Sequence, residues 1–388
     1  MKALVICRDN IGDLILTTPL ITTLAEELHY QVEVLANSYN AAALDGNPHV
    51  TNVHIYSKLH HRGEGESVIK LIIQRLKVIW AVRKAHYDVV VIGKGQWDKR
   101  ILQWVRLAKA KKVIALGETT YPCITDLVIP PKALTEHLVK RFHRMLTPLG
   151  ITTPPGPLRL YADPLLVREM RTVYDIDRQR PVFAIQISSR KILQRWPSAS
   201  FVSLAHRIAA AYSCKIILLW SPGSADNPRH PGDDANALHI ASLCQDIPIT
   251  AIATRTLGEL MAAVSLCDHV ITSDGGAMHI AAGLGKPVVA LFGNSDPVVW
   301  APWQVPHEII RAENFDVGTL SVDTVLTAVH RLKLRTDLPA PSLPRHIGLP
   351  GNTRFDSPLP QPIPTLSEPI DSVLPADRGQ MAGSQSLF

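Results

Sequence analysis

A carboxylate follows the first apolar run of the chain, in the segment Ile11-Gly12-Asp13. Residues 3–7 predict a buried strand, so Asp13 would lie at the carboxyl end of that strand, beside the start of a helix. A carboxylate in that position can accept a proton from a substrate hydroxyl, or it can cap the helix. Asp9 is a weaker candidate for the same role, and Gly12 would let a substrate pass close to the backbone.

A second segment, residues 273–297, has the sequence SDGGAMHIAAGLGKPVVALFGNSDP. Its pattern predicts a strand, a glycine turn, a helix of small residues and a second strand. The N-terminus of a helix offers free N–H groups and a partial positive charge, and glycines allow a ligand to approach the backbone. The segment therefore predicts a phosphate seat, with an ordinary capped turn as the alternative interpretation.

The same segment resembles the characteristic motif of the lipopolysaccharide heptosyltransferases. These enzymes form glycosyltransferase family 9, whose members invert the anomeric centre and have the GT-B fold. The usual motif is D-T-G-x-x-H, a helix of small residues, a K/R-P turn and F-G-x-T-D-P. The chain follows it except at Gly275 and Ser295, where threonine is commoner. The resemblance extends over about residues 1–333 and is weak between 37 and 180.

The resemblance implies roles for both segments. Asp13 would be the base that takes the proton of the acceptor hydroxyl, and Gly12 would lie against the acceptor. The leaving nucleoside diphosphate would be stabilised by backbone N–H groups of Gly275, Gly276 and Ala277.

We also expect specific roles for three further side chains of residues 273–297. His279 would hold the sugar, a phosphate oxygen or the loop, or would be a buried histidine that a backbone carbonyl satisfies. Asp274 would cap the helix or contact sugar hydroxyls. Asp296 would be structural, because aspartate before proline favours an Asx turn.

Residues 188–197, SSRKILQRWP, would contact the diphosphate by the same resemblance. Ser188 and Ser189 keep the small pair of the family, but Gln194 stands where the family has lysine. Either the donor differs, or a neighbouring cation supplies the missing charge: Arg195, Lys191 or Arg190.

Asp226 is the nearest match to the acidic residue that holds the nucleoside ribose in the family. It follows the predicted strand 215–220. The unusual extension 227–234 would close over the nucleotide, or would simply be an exposed loop.

The rest of the chain alternates between strand and helix patterns. Residues 1–150 predict strands at 3–7, 32–35, 53–56, 89–92 and 113–116, with helices at 17–28, 67–86, 97–108 and 134–146. A second series predicts strands at 182–187, 215–220, 269–272 and 288–292, with helices at 164–174, 201–211, 257–265, 277–284 and 321–332. Such alternation favours parallel sheets covered by helices.

We therefore expect an α/β protein with two Rossmann-like domains facing across a cleft, which is the GT-B arrangement. Residues 1–160 would form an acceptor-binding domain and residues 161–335 a nucleotide-sugar-binding domain, joined through the Pro- and Gly-rich stretch 150–164. Residues 336–388 are rich in proline and poor in aromatics, which predicts a disordered tail or a partner-binding segment.

Composition narrows the possible partners. The 388 residues are 46% hydrophobic, and the five cysteines form no C-x-x-C pair. Residues 1–165 carry 21 Lys and Arg against 14 Asp and Glu. This basic excess favours an anionic partner, although a solvated surface would also explain it. We expect no metal, no cofactor, no nucleic acid and no signal peptide, and a cytoplasmic location with possible peripheral contact at the inner membrane.

The expected function is transfer of a sugar, by resemblance heptose from ADP-heptose, to an anionic glycolipid such as a lipopolysaccharide core. Three alternatives stay open: another nucleotide sugar, a sugar-nucleotide epimerase, and a non-catalytic nucleotide-sugar-binding protein. A nicotinamide dehydrogenase is disfavoured because no G-x-G-x-x-G follows the first strand.

Overall fold

A computed structural model describes residues 1–56, 68–94, 99–130, 136–177, 179–227 and 231–337. The proline-rich segment lies outside the described residues from 338 onward. The first residues of the three helices predicted at 67–86, 97–108 and 134–146, and residues 228–230 of the extension, also lie outside them.

Two parallel sheets of six strands each form the framework. The first sheet contains β1 Lys2–Ile6, β2 Gln31–Asn37, β3 Val50–Tyr56, β4 Val89–Ile92, β5 Lys112–Leu116 and β6 Asp126–Val128. The second sheet contains β7 Val182–Gln186, β8 Lys215–Trp220, β9 Ile249–Ala253, β10 His269–Ser273, β11 Val288–Phe292 and β12 His307–Arg311. The central strands are short runs of aliphatic residues buried on both faces, as parallel sheets require.

Helices cover both faces of each sheet. The first half contains α1 Ile11–Leu16, α2 Thr18–Glu26, α3 Val68–Lys84, α4 Lys99–Ala108 and α5 Leu138–His143. The second half contains α6 Pro164–Val173, α7 Ser198–Ala211, α8 Asp234–Leu243, α9 Leu257–Ser265, α10 Gly276–Gly283, α11 Pro297–Trp300 and α12 Val322–Thr336. Gly285 has a left-handed φ of 71°, which ends α10 where the sequence predicts a stop.

The two sheets have the same topology. The strand order is β3-β2-β1-β4-β5-β6 in one and β12-β11-β10-β7-β8-β9 in the other, which is the doubly wound order counted from opposite edges. In each sheet the connections leave in opposite directions from one pair of adjacent strands. We call the space between the loops after β1 and β4 the first crevice, and that between the loops after β7 and β10 the second crevice. Ligands of such sheets bind in these crevices.

The predicted pairing of two Rossmann-like halves is confirmed, and the strand bounds agree to within a few residues. Six elements were missed: α1, β6, α8, β9, α11 and β12. The helix predicted at 17–28 is confirmed as α2, but the residues before it, which were expected to form a loop, already form α1 from Ile11 onward.

The two halves pack directly on each other. His137, the N-cap residue of α5, donates from Nε2 to the carbonyl of Ala301 at 2.9 Å. Trp303 lies beside the His137 ring, with centroids 4.6 Å apart, and donates to the carbonyl of Gly156. These contacts hold the carboxyl ends of the two sheets against each other.

Candidate functional site

Asp13 lies inside α1 and not in a loop before the helix. It is the third helical residue, and its Oδ2 accepts hydrogen bonds from the backbone N–H and the side-chain amide of Asn10, both at 3.1 Å. Burial raises the pKa of Asp13 above its ordinary value, against the effect of the Asn10 hydrogen bonds. The carboxylate is therefore both a capping group and a base of increased strength.

The first crevice is bridged by an ion pair. Lys94, which follows β4, contacts Asp9, which follows β1, with Nζ 2.8 Å from Oδ1. The charge of Asp9 adds to the increase in the pKa of Asp13, whereas the charge of Lys94 opposes it. Asp9 is thus committed to a cation and tunes Asp13, which leaves Asp13 as the stronger candidate for a base.

The start of α1 lies directly against the start of α10. A Cβ placed on Gly12 would lie 2.7 Å from Cδ2 of His279, closer than real Cβ contacts. A Cβ on Gly276 would lie 3.8 Å from Cβ of Ile11. Glycine at position 12 is therefore required by space, and these contacts hold the first turn of α1, which contains Asp13, against the first turn of α10.

His279 is a buried, neutral side chain. Burial lowers the pKa of His279 from 6.5 to about 3, and nearby His137 adds to the effect. Its Nδ1 is buried and has no hydrogen-bond partner among the described residues. The ring packs on Gly12 and cannot supply a positive charge to a phosphate near neutral pH, so positioning of the Ile11-Gly12-Asp13 turn is the role its contacts favour.

The N-terminus of α10 is open. Gly275 is its N-cap, and among the described residues no side chain caps the helix and a Cβ placed on Gly275 would meet nothing within 4 Å. Gly275 is exposed, and Gly276 and Ala277 are half-buried. The predicted cap by Asp274 was wrong, because that carboxylate turns to the loop after β7.

A glutamine bridges the second crevice. Nε2 of Gln194 donates to Oδ2 of Asp274 at 3.0 Å and to the hydroxyl of Ser295 at 3.3 Å, and its Oε1 accepts from Ser189. Burial raises the pKa of Asp274, while hydrogen bonds from Ser295 and Gln194 and the charge of Lys191 act in the other direction. Gln194 is buried and holds the two sides of the crevice together.

The basic residues beside Gln194 differ in their surroundings. Arg195 donates to the backbone carbonyl of Ser189 at 2.8 Å and forms an ion pair with Asp233 at 2.6 Å. Lys191 is exposed, and its charge is felt at Asp274. Of the cations predicted to replace the family lysine, Lys191 is the one whose charge acts on Asp274, so it is the best placed to meet an anion in the second crevice.

The two remaining donor-side predictions lie at the edge of this crevice. The hydroxyl of Ser188 accepts from the backbone N–H of Ser221, the first residue after β8. Asp226 is exposed in the following loop and is hydrogen-bonded with Ser224. Asp234, which the sequence reasoning did not single out, shapes that loop by accepting from Trp220 Nε1 and the Gly223 N–H.

A basic pair lies at the outer side of the first crevice. Arg8 follows β1 and is buried, with its guanidinium 4.4 Å from the centroid of the Tyr56 ring, while Arg75 of α3 lies 5.9 Å from the same centroid. Nε of Arg8 is buried and has no hydrogen-bond partner in the part of the chain that the structure describes. Within the described part of the chain, neither arginine has an ion-pair partner, so this pair can accept an anion.

Sequence reasoning also missed the Gln194 bridge, the contact of His137 between the halves and the buried Arg8. Arg8 left a signal, since an arginine directly after a buried strand enters the crevice of a parallel sheet. The other two depend on contacts over 80 and 164 residues of sequence, which no local pattern records.

In the described ranges, no group of three or more His, Cys, Asp and Glu is arranged to hold a metal ion. Nor does any helix of that part of the chain combine the length and the apolar character needed to cross a membrane.

Comparison with known proteins agrees with this geometry. The family model described as glycosyltransferase family 9 (heptosyltransferase) matches residues 75–326. Lipopolysaccharide heptosyltransferase 3 of Escherichia coli K12 is 28% identical over 354 residues, covering 85% of this chain and 97% of the relative.

Two solved structures share the fold. The structure of E. coli ADP-heptose lps heptosyltransferase II has a TM-score of 0.69 at 20% identity and covers 87% of this chain and all of that one. E. coli heptosyltransferase WaaC with ADP has a TM-score of 0.66 at 16% identity and covers 86% and 100%. Because the family model matches more than half of the chain, this protein belongs to glycosyltransferase family 9 and is a glycosyltransferase of the heptosyltransferase type.

Proposed function

We propose that this protein transfers heptose from ADP-heptose to a hydroxyl group of a lipopolysaccharide core, with inversion at the sugar C1. The observation that carries the proposal is the contact of Gly12 with His279. Because the first turns of α1 and α10 lie against each other, this contact supports a base at Asp13 acting near the N-terminus of α10. A base and a seat for a leaving diphosphate are the two parts that such a transfer needs.

In this mechanism Asp13 accepts the proton as the acceptor oxygen attacks C1. The bond between C1 and the diphosphate oxygen breaks, and the electron pair leaves with ADP. Backbone N–H groups of Gly275, Gly276 and Ala277, together with Lys191, stabilise the developing negative charge. Ser188 and Ser189 line the diphosphate side, and Asp226 would hold the ribose.

The acceptor would enter from the first half of the chain. Arg8 and Arg75 flank Tyr56 without a carboxylate partner among the described residues, so they would bind an anionic group of the glycolipid. We place the enzyme in the cytoplasm, in peripheral contact with the inner membrane that carries its acceptor.

The first test is release of ADP from ADP-heptose, with and without a heptose-deficient core lipopolysaccharide. We expect acceptor-dependent release by the wild type and a loss of at least ~100-fold in Asp13→Asn, because the base is removed while the side-chain size is kept. Asp9→Asn is the matched control and should retain most of the activity. Equal losses in both variants, or full activity of Asp13→Asn, would remove the assignment of Asp13.

One observation favours a second donor. Gln194 replaces the lysine of the family, and its amide is already bound to Asp274 and Ser295. The second crevice therefore holds one positive charge fewer than the family pattern. A panel of nucleotide sugars in the same assay distinguishes the two: turnover of another nucleotide sugar, with none of ADP-heptose, would establish the second candidate.

A further inference from the structure

Helix α3 carries an apolar surface that faces solvent. Ile69, Ile72, Ile73, Leu76 and Trp80 are between 48% and 70% exposed. At 100° per residue they fall within an arc of about 100°, and they extend over about 16 Å of the helix. We call these five residues the apolar stripe.

The stripe is not the face by which α3 joins the fold. Leu71 and Val82 are buried and lie on the opposite side of the helix, together with the half-buried Val78. Helix α3 is therefore apolar on two faces. Its neighbour α4 shows the ordinary pattern, since the outward-facing Gln103 and Arg106 of that helix are polar.

The charges around the stripe specify what covers it. Residues 68–84 contain five Lys and Arg and no Asp or Glu. Arg75 and Lys77 lie on either flank, and Nζ of Lys84 is 4.7 Å from the centroid of the Trp80 ring. Aliphatic and tryptophan side chains bordered by cations are the composition of helices that lie in the interface of an anionic bilayer.

The position of α3 agrees with a role at a membrane. The helix packs on β3, and its Arg75 lies by Tyr56, the last residue of that strand. The Tyr56 ring also contacts Arg8, which follows β1 at the same carboxyl edge of the sheet as Asp13. A surface that contacts the apolar stripe would thus lie next to Arg8 and Arg75, where the acceptor is proposed to bind.

We propose that the apolar stripe and its flanking cations dock this protein on an anionic lipid surface. The inference rests on the proposed function, because a lipid-anchored acceptor gives the helix a reason to meet a bilayer. Lipid binding itself requires neither nucleotide sugar nor acceptor, so it can be tested separately from transfer.

The test is flotation of the full-length protein with vesicles of phosphatidylcholine alone or mixed with phosphatidylglycerol. We expect binding only to the mixture, weakened by high salt, and reduced at least about tenfold in Ile72→Ser/Leu76→Ser. Leu238→Ser/Leu243→Ser is the matched control, since these leucines of α8 are exposed to a similar extent and lie outside the stripe. Brominated lipids should quench the fluorescence of wild type more than that of Trp80→Phe.

Three outcomes overturn the proposal. One is equal vesicle binding by the wild type and the stripe variant. Another is no vesicle binding by a wild type that forms dimers which the stripe variant loses, because a second copy then covers the stripe. The third is vesicle binding only after removal of residues 338–388, because the tail then occupies the stripe.

A separate assay distinguishes docking from transfer. ADP release with a delipidated core acceptor should be the same in wild type and stripe variant. Its absence in both would refute the proposed function while leaving the docking result intact.

Discussion

The two crevices of this protein have the same topology but are bridged by different chemistry. In the first crevice Lys94 neutralises Asp9 through an ion pair. In the second, Gln194 binds Asp274 through an uncharged amide. The first bridge adds a cation near Asp13 and restrains the increase in its pKa. The second bridge adds no charge, so an incoming anion depends on the α10 N-terminus and on Lys191.

This difference assigns separate tasks to equivalent places in two similar sheets. In the proposed mechanism, the first crevice sets how strongly Asp13 holds a proton, and the second sets how well the negative charge of the leaving diphosphate is stabilised. The contact between Gly12 and His279 joins the two. A change to one crevice should therefore alter either proton transfer or nucleotide binding, whereas a change at the joint should alter both.

The largest effect is expected at the contact between Gly12 and His279. Gly12→Ala would place a methyl group 2.7 Å from the His279 ring, which forces α1 away from α10. A displacement of about 1 Å between reacting groups can lower turnover about 100-fold, and overpacking costs about 1–3 kcal/mol of stability. Both kcat and the free energy of unfolding should be measured. Gly156→Ala is the control, since a Cβ there meets nothing within 4 Å; equal effects of the two variants would contradict the contact.

The next effect separates the cations of the second crevice. Lys191→Ala should weaken ADP binding by about tenfold, which corresponds to about 1.4 kcal/mol, because its charge reaches Asp274 and no ion pair holds it elsewhere in the described residues. Arg190→Ala, which removes the preceding exposed cation, should bind ADP nearly as the wild type does. Calorimetric titration with ADP provides the measurement. A greater loss in Arg190→Ala would show that Arg190 fills the role assigned to Lys191.

A smaller effect follows from restoring the charge that the family has. Gln194→Lys would put an ammonium group beside Asp274 and close to the α10 N-terminus. We expect ADP affinity to rise severalfold, because a hydrogen bond to a charged group contributes about 1.5–3 kcal/mol and part of it is used by Asp274. Gln194→Met is a control that keeps the length without charge. Unchanged or weaker ADP binding in Gln194→Lys would mean that the amide bridge matters more than the charge.

The sequence was sufficient for the framework because the framework depends on local patterns. Both sheets were predicted from short aliphatic runs separated by amphipathic stretches, which can be recognised directly in the sequence. The missed strands β9 and β12 are only partly buried edge strands, so their pattern is weaker. Helix α1 was missed because only the capping box of Asn10 and Asp13 marks its start, and no helical repeat of apolar residues leads into it.

For the candidate site, the sequence suggested members more readily than their contacts. Two separate motifs singled out Asp13, Asp274 and His279 as candidates, but they did not indicate that His279 is neutral and packed on Gly12. That fact depends on burial between two halves of the chain, which neither half's sequence specifies alone. Likewise, the sequence showed only that Gln194 lacks the charge of the family lysine, whereas the structure shows that its side chain forms a hydrogen-bonded bridge to Asp274.

The smallest expected effect is a shift in pH dependence at the first crevice. Burial already raises the pKa of Asp13, so the acidic limb of kcat should lie above the ordinary aspartate value of 3.8. Lys94→Gln removes a cation that favours the ionised carboxylate and leaves the charge of Asp9 unopposed. The protonated form of Asp13 is then favoured, so activity should be lost at a higher pH than in the wild type.

The shift should be small, because Lys94 is only a minor influence on the pKa of Asp13 and is partly neutralised by Asp9. Profiles of kcat against pH for ADP release measure it, with Lys111→Gln as a control whose ammonium group lies at Asp88. A shift of the acidic limb toward lower pH would contradict the assignment of Asp13 as the group that titrates. A shift of ADP affinity instead of kcat would mean that the two crevices do not divide proton transfer and charge stabilisation between them.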